Sequence, residues 1–250
     1  MERKLGHLER LRDAEIQAVR RLFRPGLRVL ELGGGNGYQA RQLASWGCEV
    51  VSIDVPGRRE ADEQHYPVQD YDGRRLPFGA HSFDVVFSSN VLEHVKALDE
   101  VLDEVHRVLT PEGRAVHVLP TPAWRWWTSL AHYPYLIKYL AVREMPMPGA
   151  VKAPTVRELT GRRGLVHLLK RAVVAGPHGE YSSAAAEFYY FSARRWRRLF
   201  EHRGFIVEEI YPAGVFHTGY SLMPWLPMPS RRTMARIMGS ACKVYRMRLR

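Results

Sequence analysis

A short apolar run that leads directly into a cluster of glycines is the feature that most constrains the fold of this chain. The run covers residues 27–32, and it is followed by Gly33, Gly34, Gly35, Asn36 and Gly37. A short apolar segment bounded by turn residues is typical of a buried parallel strand. Glycines after such a strand let the backbone turn tightly and approach a ligand. The segment therefore predicts a strand, a ligand-binding loop and a helix whose N-terminus points at the ligand.

Apolar strands alternate with helices over residues 25–120. Strands are expected at 48–55, 67–70, 82–89 and 114–120, with helices at 38–46, 58–64 and 92–109. This alternation indicates a parallel sheet that is covered on both faces. The prediction is an α/β fold, a Rossmann-like doubly wound sheet of about seven mostly parallel strands, preceded by an N-terminal helix within residues 1–24.

The alternation stops at Pro120, and the rest of the chain divides into three parts. Residues 121–190 are rich in Trp and Tyr, and we interpret them as a capping insertion. Residues 191–225 return to the sheet with a helix at 193–202 and a strand at 204–211. Residues 226–250 are basic and are predicted to form an amphipathic helix, with Ala241 and Tyr245 on its apolar face. All 250 residues are predicted to form a single domain.

The glycine spacing argues against a dinucleotide site. The G-x-G-x-x-G pattern would require a glycine at position 38, which is Tyr38. The pattern is instead G-x-G-x-G, and Glu31 precedes it. A carboxylate at this position suits a ligand with an ammonium group better than a pyrophosphate. Asp54, at the end of the next expected strand, can accept hydrogen bonds from ribose hydroxyls.

Four elements in this order resemble the class I S-adenosylmethionine-dependent methyltransferases, in particular the family similar to ubiquinone and menaquinone methyltransferases. They are the glycine loop with its preceding acid, Asp54, the segment DGRRLPF with SFDVV at 72–86, and SNVLEHV at 89–95. The resemblance covers about residues 27–120 and returns at 191–211. It implies that the cofactor is S-adenosyl-L-methionine.

Carried over to the matching positions, the resemblance implies a cofactor site in three parts. The glycine loop would line the methionine part, the acid at the second strand end would hold the ribose, and the Asp-Gly pair after the third strand would face the adenine. Main-chain groups after the fourth strand would close over the cofactor. The implied cofactor-binding residues are Glu31, Gly33, Gly34, Gly35, Asn36, Gly37, Asp54, Val55, Asp72, Gly73, Asn90 and Val91.

Three of these residues have alternative roles. Asp54 could be a helix N-cap, and Asp72 could be a turn residue before Gly73. Glu31 could orient the glycine loop or reach the amino group of the cofactor. The pair Gly73-Arg74 also departs from the Ala-Glu that relatives often have, which loosens the assignment to adenine.

A histidine and a carboxylate near the end of the insertion are the candidate catalytic residues. His178 and Glu180 lie in the segment Pro-His-Gly-Glu, just before the chain returns to the sheet. A base is needed only where the acceptor must lose a proton, and the alternative is a solvated polar loop. His217, near the expected seventh strand, is a further candidate, whereas His132 is expected to be a packing residue.

The two cysteines, Cys48 and Cys242, argue against several kinds of site. They are far apart and neither belongs to a CxxC pair, so a disulfide framework and a structural zinc site are not expected. No trio of carboxylates indicates a catalytic metal, and no metal is predicted. Neither cysteine is expected at a catalytic strand end, which argues against methylation of pyrimidine C5.

Charge and aromatic content bear on the acceptor. The formal net charge is +11, and no acidic residue follows Glu209. The basic end and the aromatic insertion favour methyl transfer to an oxygen of a small-molecule, sugar or lipid-linked acceptor, with peripheral contact to an anionic membrane. An RNA methyltransferase and an inactive binding subunit are the alternatives, with nucleic acid less favoured. The charged N-terminus resembles no secretory signal, so a cytoplasmic location is expected.

Overall fold

The computed structural model describes residues 6–57, 64–142, 176–181, 183–220 and 222–250. The helix expected at 58–64 therefore falls outside the described residues, apart from its last position. Most of the expected capping insertion between 143 and 175 lies outside them as well.

A single seven-stranded sheet forms the centre of the described fold. Its strands are β1 (Arg28–Leu32), β2 (Glu49–Asp54), β3 (Val68–Asp70), β4 (Phe83–Ser89), β5 (Leu109–Pro120), β6 (Phe205–Pro212) and β7 (Cys242–Leu249). The order across the sheet is β3-β2-β1-β4-β5-β7-β6. Only β7 is antiparallel to its neighbours β5 and β6, and the other pairs are parallel. The predicted Rossmann-like, mostly parallel sheet is confirmed.

Helices cover both faces of this sheet. They are α1 (His7–Val19), α2 (Tyr38–Ser45), α3 (Leu98–Val108), α4 (Pro122–Val142), α5 (Ala184–Tyr190), α6 (Ala193–His202) and α7 (Met228–Met238). The helix expected at 92–109 is shorter than predicted. Its first residues instead form a 3-10 turn at Leu92–His94, which ends at the extended residue Val95, and α3 begins only at Leu98.

Alternating side chains of the strands divide the core into two layers. Leu30 and Leu32 of β1 pack with α3 and α6, where Trp196 is fully buried. Val29 of β1 points to the other face and packs with Ile16 of α1 and with α2. This period of two is what a strand buried on both faces requires. It also places Glu31 on the face covered by α1 and α2.

The predicted C-terminal helix at 226–250 is wrong beyond α7. Residues 242–249 form β7, which lies between β5 and β6, so Ala241 and Tyr245 do not belong to a helix. Tyr245 is fully buried in the sheet, and Arg246 pairs with Glu209 of β6 at 2.9 Å. A central strand is buried on both faces, so its apolar residues need not alternate strictly. The spacing of the apolar residues in this segment, including Ala241 and Tyr245, was therefore compatible with a helix as well as with a strand.

The described ends of the insertion are joined by a buried ion pair. Arg125 of α4 donates to the carboxylate of Glu187 of α5 at 3.0 Å, and both side chains are fully buried. The outer face of α4 has a row of exposed apolar side chains at helical spacing, which are Trp126, Leu130, Tyr133 and Ile137. No helix in the described part of the chain is long and apolar enough to cross a membrane.

Candidate active site

Most of the predicted site residues lie together at the carboxyl ends of β1, β2 and β4. Gly33 follows β1, Asp54 ends β2 and Asn90 follows β4. This edge is where open α/β sheets bind ligands. A larger groove of about 740 Å³ lies elsewhere, lined by Pro25, Asp84 and neighbouring residues near the amino ends of β1 and β4. We therefore assign the candidate site to the carboxyl edge.

The glycine loop leaves no room for side chains at three positions, Gly33, Gly34 and Gly37, the last of which lies against the backbone of Tyr66. At Gly34, a Cβ atom would lie 1.9 Å from Ser52 Oγ, and at Gly33 it would lie 2.3 Å from a methyl group of Val91. Gly33 also has a φ of +71°, which L-residues with a side chain rarely adopt. The loop can therefore pack tightly on β2 and on the segment after β4 only because these residues are glycine.

Glu31 lies beneath this loop. Ser52 donates a hydrogen bond to Glu31 Oε2 at 2.5 Å, and the carboxyl is buried. Burial, with a smaller contribution from Asp54, raises the pKa of Glu31 to about 8. Of the two roles expected for Glu31, the structure favours positioning of the loop, since the side chain lines neither of the cavities described below.

Asp54 joins the end of β2 to the glycine loop. Its Oδ2 accepts a hydrogen bond from the backbone N–H of Gly35 at 2.8 Å, and its Oδ1 accepts one from Val55 at 2.7 Å. Asp54 also lines a cavity at this edge. No helix begins at this position in the described residues, so the alternative role as an N-cap is not supported.

Two cavities meet at Gly33 and Val91. The loop cavity has a volume of about 320 Å³ and is lined by the glycine loop, Asn90 and Arg12 among others. The aspartate cavity has a volume of about 290 Å³ and is lined by Asp54, Val55, Asp72, Gly73 and His94 among others. Together they bring the predicted cofactor residues to one groove. Of that set, only Glu31 and Gly37 line neither cavity.

Asp72 has a turn contact as well as a place in the aspartate cavity. Its Oδ1 accepts hydrogen bonds from the backbone N–H groups of Arg74 and Arg75, each at 2.8 Å. These bonds hold the pKa of Asp72 below its usual range. Asp72 therefore has the turn role that was considered as the alternative. Because it also lines the cavity, it can contact a ligand in addition.

Arg12 is a site residue that the sequence analysis missed. It lines the loop cavity from α1 and pairs with Glu15 at 2.9 Å. Burial of Glu15 opposes its ionisation, but Arg12 and His217 outweigh this effect and hold its pKa at about 2. The detectable signal was two opposite charges at i and i+3 on a helix whose neighbouring positions, Leu11 and Ile16, are apolar.

Cys242 lies much closer to the site than expected. Its thiol is 3.3 Å from Asn90 Oδ1 and 3.4 Å from Glu15 Oε1. Because β7 is antiparallel, its first residue lies at the edge where β4 and β5 end. The expectation that neither cysteine lies at a catalytic strand end is therefore wrong for Cys242. Burial raises the pKa of this thiol well above its usual value, so it is not an activated nucleophile.

The two candidate catalytic residues lie in different surroundings. His178 Nε2 is 3.2 Å from Nε2 of His94, which lines the aspartate cavity. Burial, with smaller contributions from nearby cationic groups, lowers the pKa of His178 to about 3. Glu180 lies at the surface, 4.0 Å from Lys96, and lines neither cavity. His178 also lines neither cavity, but it contacts His94 of the aspartate cavity, whereas the Glu180 carboxylate pairs with the exposed side chain of Lys96.

The other histidines considered from the sequence lie on α4 and before α7. His217 Nε2 lies 3.4 Å from Glu15 Oε1 and so adjoins the Arg12–Glu15 pair. His132 Nδ1 lies 2.8 Å from the hydroxyl of Tyr220, which agrees with the packing role expected for it.

Comparison with known proteins finds methyltransferases among the matches. Residues 30–117 match a family model described as a methyltransferase domain. Demethylmenaquinone methyltransferase from Mycobacterium sp. (strain KMS) is 34% identical over 160 residues, which are 59% of this chain and 67% of that protein. Biotin biosynthesis bifunctional protein BioHC from Cellvibrio japonicus is 38% identical over 93 residues. This match spans 35% of the chain and only 18% of BioHC.

Solved structures have the same fold. The S-adenosylmethionine-dependent methyltransferase from Mesorhizobium loti superposes with a TM-score of 0.53 and 19% sequence identity. The superposition covers 94% of this chain and 97% of that one. At this identity the likeness concerns the fold alone.

Proposed function

Because the chain belongs to the class I S-adenosylmethionine-dependent methyltransferases, we propose that it transfers a methyl group to an oxygen of a small apolar or lipid-linked acceptor. S-adenosyl-L-methionine is the cofactor. The observation that supports a specific binding mode is the pair of cavities joined at Gly33 and Val91. The acceptor is the part of the proposal that the family does not supply.

The groups that line the joined cavities fit this cofactor. The aspartate cavity offers the carboxylates of Asp54 and Asp72, which can accept hydrogen bonds from ribose hydroxyls and an adenine amine. The loop cavity offers the guanidinium of Arg12, which can bind the carboxylate of the methionine part. The loop itself lets the backbone approach the ligand closely, since side chains at Gly33 and Gly34 would clash with their neighbours.

Catalysis by this chain would rest on positioning. The bound cofactor supplies an electrophilic methyl group on a sulfonium, so the protein must align the acceptor and exclude water. The tight contact of Val91 with Gly33 fixes the segment after β4 against the glycine loop at the point where the two cavities meet. We assign His94 to the rim of the cofactor site, because it lines the aspartate cavity, and His178 to the position just behind it, 3.2 Å away.

Two observations support an apolar or lipid-linked acceptor. The outer face of α4 exposes Trp126, Leu130, Tyr133 and Ile137, a row of the kind that favours apolar partners and membrane interfaces. The second is the relative named demethylmenaquinone methyltransferase, whose name gives demethylmenaquinone as its acceptor. The net charge of +11 further favours contact with an anionic surface.

Methyl-labelled cofactor tests this proposal directly. The full chain is incubated with labelled S-adenosyl-L-methionine and, separately, with a bacterial lipid extract, an aqueous metabolite extract and total RNA. We expect label in the lipid or small-molecule fraction, on an oxygen located by mass spectrometry, and markedly less label with the Asp54→Ala variant at a cofactor concentration below its Kd. Label in RNA, or transfer to carbon or nitrogen alone, would contradict the proposed acceptor. Failure to bind the cofactor at all would indicate an inactive binding subunit.

A further inference from the structure

We propose that Glu93, His94 and His178 form a binding site for a divalent transition-metal ion at the rim of the aspartate cavity. His94 Nε2 lies 3.2 Å from His178 Nε2 and 3.9 Å from Glu93 Oε1. The ligand atoms of all three residues lie within 4.8 Å of one another. Ligands bound about 2.0–2.2 Å from one zinc ion lie a little more than 3 Å apart, so small side-chain movements complete the site.

The carboxylate of Glu93 is the strongest indication that a cation belongs here. Its side chain is fully buried, and neither carboxylate oxygen has a hydrogen-bond partner within the described structure. A buried carboxylate without a partner is costly, and buried charges are normally paired or bind a metal. A divalent cation between Glu93 and the two imidazoles would satisfy these oxygens.

The position of His178 is fixed by a buried second layer of contacts. Glu187 Oε1 accepts hydrogen bonds from the backbone N–H groups of His178 and Gly179, at 2.5 and 2.7 Å. The other oxygen of Glu187 accepts from Arg125, and the ring of Trp124 lies 4.7 Å from the His178 ring. These contacts hold the backbone at His178, and the Trp124 ring packs beside the imidazole, so the position of the residue does not depend on a bound ion.

The ligand set indicates the class of metal. Two imidazoles and one carboxylate suit zinc, iron and other first-row divalent ions, rather than magnesium or calcium. Three protein ligands also leave a coordination position open. His94 is partly exposed at the aspartate cavity, so an oxygen ligand from that cavity could take this position. The metal site is inferred from this cluster alone and does not depend on the identity of the acceptor.

A second cluster of the same size differs in the state of its carboxylate. Glu15, His217 and Cys242 also lie within 4.8 Å of one another. However, the Glu15 carboxylate already accepts hydrogen bonds from Arg12 at 2.9 Å and from Asn90 at 3.1 Å. The charge of Glu15 is therefore already paired with Arg12 without a metal ion. The two clusters therefore provide an internal comparison for the experiment.

Titration of the full chain with Zn²⁺ and Co²⁺ tests the site without cofactor or acceptor. Isothermal titration should give one site per chain with both ions. We expect His178→Ala and Glu93→Gln to lower the affinity at least about ten-fold. His202→Ala, which removes an exposed histidine of α6, should leave it unchanged. Circular dichroism establishes that each variant is folded, and His94→Ala replaces any variant that is not.

The outcomes separate the two clusters. A wild-type melting temperature that rises with Zn²⁺, with no rise in His178→Ala, would support the site. Absence of binding, or equal affinity in wild type and Glu93→Gln, would overturn it. A thiolate-to-cobalt absorption band, or loss of binding in His217→Ala, would place the ion at Cys242 and would also overturn it. Each result stands whether or not methyl transfer is detected.

Discussion

The Asp54 carboxylate accepts a hydrogen bond from the backbone N–H of Gly35 at 2.8 Å. This contact joins the last residue of β2 to the loop that follows β1, and it holds the two chain segments together at the carboxyl edge of the sheet. The same carboxylate lines the aspartate cavity. Asp54 therefore holds the loop, and we propose that it also binds the ribose of S-adenosyl-L-methionine.

Replacement of Asp54 should weaken cofactor binding. We expect Asp54→Ala to raise the Kd for S-adenosyl-L-methionine at least about ten-fold, since a hydrogen bond to a charged group contributes ~1.5–3 kcal/mol. Asp54→Asn keeps an acceptor oxygen and should have a smaller effect. Isothermal titration measures both, with Asp103→Ala, an exposed residue paired to Arg203, as the control. An unchanged Kd in Asp54→Ala would contradict the assignment.

A methyl group at Gly34 should disturb the loop. The 1.9 Å approach of a Cβ atom to Ser52 Oγ cannot be kept, so the loop must shift in Gly34→Ala. We expect a loss of about 1–3 kcal/mol in the free energy of unfolding and weaker cofactor binding. Urea denaturation and titration measure the two effects.

Two further variants make the Gly34 prediction specific. Gly176→Ala should be neutral, because nothing lies within 4 Å of a Cβ there. In a Ser52→Ala background Gly34→Ala should cost less stability than it does in wild type, since the nearest clashing atom is gone, and this comparison cancels the loss of the Ser52–Glu31 hydrogen bond. If Gly34→Ala cost the same in both backgrounds, the clash with Ser52 would not be the cause.

Glu31 should make stability depend on pH. Its pKa in the folded protein is about 8, above the usual 4.5, so the folded state holds a proton that the unfolded state releases between these values. The protein is then most stable below the lower value and loses stability as the pH rises to the higher one. Glu31→Gln removes this loss.

Urea denaturation near pH 5 and near pH 8.5 checks this effect. We expect the free energy of unfolding of Glu31→Gln, relative to that of wild type, to be at least about 1 kcal/mol higher near pH 8.5 than near pH 5. One pKa unit corresponds to ~1.4 kcal/mol. If the difference in free energy of unfolding between Glu31→Gln and wild type were the same at both pH values, Glu31 would be ionised throughout this pH range.

Local patterns made the first half of the site predictable. Gly33 directly follows β1 and Asp54 ends β2, so each is positioned by the strand next to it in the sequence. Because these two strands pair with each other, the sequence pattern also indicated that the two residues lie close together. Arg12 could not be found in this way, because it reaches the site only through the packing of α1 on the sheet. Its charge pair with Glu15 was the one available signal.

The end of the chain was mispredicted for a physical reason. Tyr245 and Met247 are buried because β7 is enclosed between β5 and β6, and sequence periodicity does not reveal which strands will be neighbours. The arginines of this strand also resemble the polar face of a basic helix. Because residues 242–249 were predicted to be helical, Cys242 was also wrongly predicted to lie away from the site. The Glu93 cluster was missed because His178 comes from a distant part of the chain.

The buried Arg125–Glu187 pair should be sensitive to loss of one partner. Glu187→Ala leaves the Arg125 guanidinium buried without its carboxylate, so we expect a loss of about 3–5 kcal/mol in the free energy of unfolding. The double variant Arg125→Met/Glu187→Leu removes both charges and should lose less than the single variant. Urea denaturation measures both. A loss below about 1 kcal/mol in Glu187→Ala would show that water reaches the pair.

A crystal structure with S-adenosylhomocysteine tests the central claim most directly, because that claim is a single cofactor site formed by two joined cavities. We predict density that spans both cavities past Gly33 and Val91, with the ribose hydroxyls at Asp54 and the carboxylate at Arg12. Density in any other position, or a ligand confined to one cavity with its ribose away from Asp54, would contradict the account.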